Sequence, residues 1–404
     1  MSELTISSTF WLAVSLRNGS AVVFNLNNVD EWQNLQSTTT KDDDEELNRN
    51  LIRFSPDGRR LAINGQNKEI FIYVFSNDDS TKTNFWKLEK TFAIRKRASA
   101  IDLTDEFLLV ADKSGDVYKF DFDENSSKTN DECLMGHLSM LLDVAFVHPF
   151  IVTTDRDEKI RLSRFPNAYN IEGFCLGHTE FVSNVKPVDS KSILSTSGDG
   201  TLRLWKIPEC VETNRLESKN LISSAKILEF PSKKNSTDFN DEFSSIDVAF
   251  WKVEVSNERI ALAIFASRNR SIYLTNLTNL KTNSNDSIEL KFDEEKFGKI
   301  LDFSFFNSNL FVLFDKKRLV RFDVDSLTIS ADDDNDESLK KINEILNEKE
   351  FQSVNISMFN QLFKSRGEPG DSSYYKRKNE RIEQEEAKRT KKQTMRQVQS
   401  PSDQ

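Results

Sequence analysis

Two histidines are the first residues whose type and spacing suggest chemistry. His137 and His178 each follow a glycine, in Gly136-His137 and Gly177-His178, 41 residues apart. Each precedes a polar turn that carries an aspartate, Asp157 after His137 and Asp199 after His178. A His–Asp pair can move protons in catalysis. Held inside one sheet, the same pair is a buried hydrogen-bond network that fixes a turn. Recurrence of the element favours the structural role and pairs His137 with Asp157 and His178 with Asp199. His148, followed by Pro149, reads as part of a strand-entry turn. The three cysteines, Cys133, Cys175 and Cys210, form no CxxC pair, and with three histidines in all no zinc site is expected. The glycines of Ser197-Gly198-Asp199-Gly200 lie in a hairpin and open no helix, so they do not form a phosphate cradle. No catalytic constellation is legible, and any nucleotide-like cofactor is expected on another chain.

Three charged groups could bind rather than react. Asp155-Arg156-Asp157-Glu158-Lys159 with Arg161 sets two cations beside a cluster of acids. Lys159 and Arg161, two apart on an expected strand, point to one side and suit an ion-paired protein contact made with Asp155 and Asp157. Arg95-Lys96-Arg97, with Lys113 in the next turn, could present a positive surface to phosphate. Lys376-Arg377-Lys378 opens a run of basic clusters on a polar tail, suited to phosphate contact or nuclear import.

What positions these groups is a repeat. With Asp199 as anchor, equivalent turns occur at Asn18, Asn67, Ser114, Asp157, Asn269 and Lys316. Three residues beyond each anchor stand Ala21, Ile70, Val117, Ile160, Leu202, Ile272 and Leu319, all apolar. The residue before each of these is polar. That is the period-two signature of a hairpin with one buried face. Spacings of 49, 47, 43, 42, 70 and 47 give one four-stranded blade per copy, a WD-repeat spacing. The expected fold is all-β, a seven-bladed WD-repeat β-propeller over residues 1–330. It carries an acidic loop at about 31–50 and an insertion at about 208–241. Residues 331–366 read as an acidic linker with a short amphipathic helix carrying Leu339, Ile342, Ile345 and Leu346. Residues 367–404 read as a charged, disordered tail.

The composition agrees. Apolar residues are 37% and charged residues 30%, while 31 Phe supply bulk for a large core. A net charge of −10 argues against a surface that grips nucleic acid everywhere. Residues 364–396 nevertheless hold eleven Lys and Arg against six Asp and Glu. No apolar run is long enough to span a bilayer, and no signal peptide is read at the N-terminus.

Five segments carry a resemblance: ADKSGDVYKFD (111–121), GHLSMLLDV (136–144), TDRDEKIR (154–161), FCLGHTEFVS (174–183) and SGDGTLRLW (197–205). They are similar to the WD-repeat, non-catalytic subunit of eukaryotic tRNA (guanine-N7)-methyltransferase, the Wuho family. The tail segment YYKRKNERIEQ looks like that of animal members as well. The resemblance implies a chain that makes no bonds itself. It would bind laterally to a separate subunit that holds S-adenosylmethionine, stabilise that enzyme and help seat tRNA for N7-methylguanine formation in the variable loop, in the nucleus. The family's partner contacts include the basic residues of the DRDEKIR motif, which match Lys159 and Arg161. Two departures stand out. Trp205-Lys206 replaces the repeat's usual Trp-Asp, with Trp205 kept as a structural residue, and only two blades carry Gly-His. A different propeller function, such as an adaptor or substrate receptor of a ubiquitin ligase, is the competing expectation.

Overall fold

A computed structural model describes residues 2–35, 50–65, 68–76, 86–122, 132–224, 226–230, 249–257, 259–265, 270–316, 318–330, 336–351 and 362–363. Met1–Asn360 form one compact unit; of the second, Gln361–Gln404, only Leu362 and Phe363 are described.

The first unit is a ring of seven sheets, the expected seven-bladed propeller. The innermost strands of the blades are Leu4–Ile6, Ile52–Phe54, Ala98–Leu103, Leu141–Val147, Val182–Asp189, Ala249–Ser256 and Ile300–Phe306, and each touches the inner strand of the next. Six blades are four-stranded antiparallel meanders. The sixth has five strands, because Lys226–Phe230 joins its outer edge parallel to Ile288–Phe292.

The repeat arithmetic has a direct structural counterpart. Ala21, Ile70, Val117, Ile160, Leu202, Ile272 and Leu319 are all completely buried. They fill the layers between adjacent blades, which is why period-two alternation survives while the rest of the repeat drifts. The residue after the anchor takes a left-handed conformation in the first five blades: Gly19, Lys68, Gly115, Glu158 and Gly200. At Gly115 a side chain is excluded outright, since a Cβ would lie 2.6 Å from the carbonyl oxygens of His137 and Ser139.

Two expected loops are partly regular structure. Residues 31–35 end the outer strand Asn28–Leu35 of blade 1, and residues 36–49 lie outside the described residues. The 208–241 segment contains the outer strand Val211–Glu217 of blade 5, helix α1 (Ser218–Ser224) and the strand Lys226–Phe230. Its polar stretch NSTDFNDEF lies outside the described residues. The strand Val211–Glu217 was hidden because it is outermost, with one face in water and few apolar residues to reveal a period.

Each blade is built from consecutive strands, and among the described residues no strand is exchanged between blades to close the ring. Packing of the inner strands of blades 1 and 7, side chains and the C-terminal helix hold it shut. The Leu4 amide donates to Asp302 Oδ2 at 2.7 Å, joining blade 1 to blade 7 at the centre. After the short helix α2 (Leu277–Lys281), a third helix, α3 (Glu337–Asn347), crosses the same seam at the periphery. The outermost strand of blade 7, Thr328–Ser330, pairs with Arg321–Asp323, and among the described residues no outer strand reaches Leu319. Asn343 of α3 does: its Oδ1 accepts the Leu319 amide and its Nδ2 donates to the Leu319 carbonyl, both at 2.9 Å. Lys341 pairs with Asp30 of blade 1 at 3.1 Å, and the Arg17 amide donates to the Glu350 carbonyl. Asn343→Leu is expected to strand two buried backbone groups and cost about 2–3 kcal/mol, measured as a shift in urea midpoint. A change below about 0.5 kcal/mol would show that α3 does not close the ring.

Candidate functional site

The two Gly-His histidines, His137 and His178, each have both ring nitrogens engaged. In blade 5, His178 Nδ1 faces Asp199 Oδ2 at 2.9 Å and Nε2 faces Ser195 Oγ at 2.7 Å. Trp205 Nε1 donates to the same Ser195 Oγ at 2.8 Å. One proton arrangement satisfies all three bonds: Nδ1–H to the carboxylate, Ser195 O–H to Nε2, and indole N–H to Ser195. Burial pushes the His178 imidazole below its ordinary value, outweighing the opposite pull of Asp199. Burial would raise Asp199, but its bonds from His178, Thr201 and the Thr179 amide prevail and hold it at about 2. Neutral imidazole beside ionised carboxylate is the resting state. Both ring nitrogens are occupied within the blade, so the pair fixes a turn.

Blade 4 corrects one assignment. His137 Nδ1 pairs with Asp155 Oδ2 at 3.2 Å, not with Asp157, and Nε2 bonds Thr153 Oγ1 at 2.8 Å. Asp155 ends its strand pointing inward, and its Oδ1 also accepts the Lys159 amide. In blade 5 that backbone service comes from Asp199 at the turn tip, whose Oδ1 accepts the Thr201 amide. The same carboxylate function can thus be supplied from either of two turn positions.

The expected ion-pair patch divides likewise. Asp155 is buried, and so is Arg161, so neither is a surface charge. Arg161 Nη1 donates to the Gly136 carbonyl at the edge of blade 3, Nη2 to the Ala168 carbonyl and Nε to Ser163 Oγ. Desolvation lowers its pKa. Lys159 lies in the turn before the strand Ile160–Arg164, so strand alternation does not bring it beside Arg161. What reaches the surface is Arg156, exposed, with Asp157, Glu158 and Lys159 half-buried. The Lys159 ammonium has no ion-pair partner among the described residues.

Sequence reasoning missed the apolar company of this turn. Leu138 beyond the edge strand of blade 3, and Phe174 and Leu176 at the edge of blade 4, are 73%, 38% and 65% exposed. Phe174 is the cross-strand partner of Arg161. The buried guanidinium stitches blades 3 and 4 beneath an apolar rim, with the charged turn at one end. Exposed apolar residues in a strand that is otherwise polar outward were the available signal.

Arg95, Lys96, Arg97 and Lys113 do come together. The Lys113 amide donates to the Arg97 carbonyl at 3.4 Å, joining the loop to the turn of blade 3. Arg95 and Lys96 are exposed, and the Arg95 guanidinium stands 5.9 Å from the centre of the Tyr118 ring. Lys376, Arg377 and Lys378 lie outside the described residues.

A further set was not anticipated. Charged and polar residues of the inner strands link blade to blade around the ring's centre. Asp102 accepts the Phe146 amide at 2.7 Å, Asp143 the Val185 amide at 2.9 Å, and Asn184 the Val253 amide at 3.1 Å. Lys252 bonds Asp302 at 2.6 Å and the Phe303 carbonyl at 2.9 Å, while Lys186 pairs with Glu254 at 3.0 Å. Burial would raise Glu254, but Lys186, Lys252 and Arg53 together hold it at about 2. Their signal was a single polar residue recurring inside apolar runs such as LIRFS, LLDVAF and ILDFSF.

No nucleotide-type cradle forms at Ser197–Gly200: a Cβ on Gly198 would lie 2.4 Å from the Phe181 ring, so that space is filled. Among the described residues no cluster of His, Cys, Asp or Glu has metal-binding geometry, and no helix is long and apolar enough to cross a membrane.

Seven radial sheets, a Ser-His-Asp-Trp network inside blade 5 and Gly-His elements define a WD40 β-propeller. A chain of the solved mitotic checkpoint complex shares the fold with a TM-score of 0.58 at 15% identity, covering 80% of this chain and 90% of that one. The C-terminal WD40 domain of Sif2 does so at 0.51 and 14%. Within this class the chain belongs to the family described as tRNA methyltransferase TRM82 WD40 domain, whose model matches residues 25–132 and 121–319. It is similar to the mouse tRNA (guanine-N(7)-)-methyltransferase non-catalytic subunit WDR4, 44% identical over 160 residues, 38% of this chain and 36% of that protein. The corresponding wuho protein of Aedes aegypti is 39% identical over 166 residues, 39% and 41% of the two chains. TRM82 of Meyerozyma guilliermondii is 36% identical over 181 residues, 43% and 42%. The matched segment thus spans about two-fifths of these relatives.

Proposed function

We propose that this chain is the non-catalytic subunit of a tRNA (guanine-N7)-methyltransferase. It holds a separate S-adenosylmethionine-binding catalytic chain in its active arrangement and helps seat tRNA, with no bond-making of its own, and it acts in the nucleus. The observation that carries this reading is the family match over residues 25–132 and 121–319, joined to relatives that bear that name. Physically, a rigid ring lowers the ordering cost that a catalytic chain would otherwise meet at the reaction step. Co-expression with the candidate methyltransferase, followed by mapping of N7-methylguanine in tRNA, tests it. Methylation should require both chains; full methylation by the catalytic chain alone overturns the reading.

The partner face in this proposal is the junction of blades 3 and 4. Leu138, Phe174 and Leu176 supply apolar area, Lys159 supplies a cation without an ion-pair partner among the described residues, and Arg161 is a positioning residue beneath them. Lys159→Glu is expected to weaken association by about 2 kcal/mol, roughly thirty-fold in Kd, through like-charge repulsion. Unchanged affinity in a titration of the two purified chains removes Lys159 from the interface.

The loop Arg95–Arg97 with Lys113 is the proposed phosphate-facing surface, and the tail cations Lys376, Arg377 and Lys378 are proposed as phosphate contacts in their own right. Lys96→Ala should lower tRNA affinity of the assembled complex equally for different tRNAs and reduce the salt slope of log K by about one. An unchanged slope places RNA elsewhere.

A further inference from the structure

Cys175 and Cys210 play no part in the proposed function. Cys175 ends the outer strand Ile171–Cys175 of blade 4 and is completely buried against blade 5. Cys210 lies in the turn of blade 5 before Val211–Glu217, half-exposed and packed against the same apolar cluster, which also holds Ile160, Leu162 and Trp205. Both side chains pack in this one cluster, which Cys175 helps to form. The approach is made possible by Gly173, where a Cβ would stand 2.8 Å from Cys210 Sγ. Cys210 itself takes a left-handed backbone conformation, φ 55°, unusual for a residue with a side chain. Two thiols from neighbouring blades, one buried in the core and one partly exposed, thus share one cluster at the outer edge of the ring, with Cys210 Sγ over Gly173, two residues before Cys175 on its strand. Cys133, the third cysteine, is exposed on blade 3 and belongs to neither blade.

We infer that Cys175 and Cys210 are a reversible thiol–disulfide pair that ties the outer strand of blade 4 to blade 5 under oxidation by a peroxide. The neighbouring Cys175 thiol lowers the Cys210 pKa, so Cys210 is the attacking thiolate, while Cys175 is pushed up by Cys210 and by burial and stays protonated until the second step. The Cys210 thiolate attacks one peroxide oxygen; the S–O bond forms, the O–O bond breaks, and hydroxide leaves and takes a proton to become water. Cys175 sulfur then attacks the sulfenic sulfur. The S–S bond forms, the S–O bond breaks, and the departing hydroxide takes the Cys175 proton as a second water. Two thiols lose two electrons in all and the peroxide gains them. A dithiol restores the reduced pair by exchange. The bond would stiffen the edge that carries Phe174 and Leu176.

The inference does not depend on what binds that edge. The test treats the purified full chain with hydrogen peroxide at low molar excess, alkylates the remaining thiols and maps peptides without reduction. Alkylatable thiols should fall from three to one, with a Cys175–Cys210 cross-linked peptide that dithiothreitol releases. Cys133→Ser should behave the same with one thiol fewer. Cys210→Ser should leave Cys175 alkylatable after unfolding and yield no cross-link. Peroxide that oxidises Cys133 while Cys175 and Cys210 both remain thiols overturns the inference. So does a cross-link that joins Cys133 to either of them, or overoxidation of Cys210 with Cys175 still free.

Discussion

Lys252→Met is expected to destabilise the propeller by about 3–5 kcal/mol, the typical cost of removing one partner from a buried ion pair. The side chain is 14% exposed and bonds Asp302, which is 2% exposed, at 2.6 Å. It also lies 3.3 Å from Glu254. Burial opposes its charge, but Asp302 and Glu254 more than compensate and raise its pKa. Methionine fills the space of the stem and leaves Asp302 charged in the channel wall. Asp302 cannot turn away, because it holds the Leu4 amide across the seam that closes the ring. The effect should therefore be cooperative unfolding of the whole ring, followed together by tryptophan fluorescence and far-UV circular dichroism in urea. Adding Asp302→Asn keeps an oxygen for Leu4 but removes the stranded charge, so the double variant should regain roughly half of the loss. Glu254 sharpens the test. Its folded pKa of about 2 lies below the ordinary 4.5, so its contribution is complete above pH 4.5 and is lost as pH falls toward 2. Without Lys252 that depression shrinks, and acid unfolding should begin at higher pH. A loss below 1 kcal/mol with an unmoved acid midpoint would mean that the channel charges are solvated rather than structural.

The contrast between Lys252 and Lys159 shows what sequence could and could not reveal. Repeat phase was legible because the seven buried positions from Ala21 to Leu319 must be apolar wherever blades pack, whatever the turns do. The channel charges were not, because a lone Lys252 or Asp302 inside an apolar strand looks like an interruption until the ring brings the neighbouring blade's carboxylate or amide to it. Pairing across blades is a non-local property with no local period. The error at His137 has a different origin. Alignment on turn anchors equates Asp157 with Asp199, but the chain has a second aspartate two residues earlier, at the position of Ser197 in blade 5. The strand end is closer to the imidazole and already buried, so Asp155 takes the bond and Asp157 is left at the turn tip. Arg161 was misplaced for a related reason. An arginine on a strand reads as solvent-facing, yet its guanidinium donors here find the Gly136 carbonyl at the edge of blade 3, the Ala168 carbonyl in a turn of blade 4 and Ser163 Oγ.

The second large effect belongs to His178. His178→Leu keeps volume but leaves Asp199 Oδ2 and Ser195 Oγ short of a partner in a buried setting, for an expected loss of about 3 kcal/mol. Its pH dependence separates this from a simple packing defect. Folded His178 titrates below its ordinary 6.5, so the unfolded chain binds that proton first as pH falls. The stability it contributes is complete above pH 6.5 and is lost as pH drops through the folded value, with a slope of at most about 1.4 kcal/mol per pH unit for one proton. Asp199, at about 2 against an ordinary 3.8, adds a second loss below pH 3.8. The leucine variant should therefore be less stable at pH 7 and show a flatter profile between pH 6.5 and 5, converging on the parent as acid removes the parent's advantage. The equivalent change in blade 4, His137→Leu, gives an internal comparison. Its ring bonds Thr153 and Asp155 without an indole in the network, since Ser163 occupies the position of Trp205, so the loss should be smaller. Equal losses at both sites, or parallel pH profiles for variant and parent, would show that the blades are held by apolar packing alone and that the histidine networks contribute nothing specific.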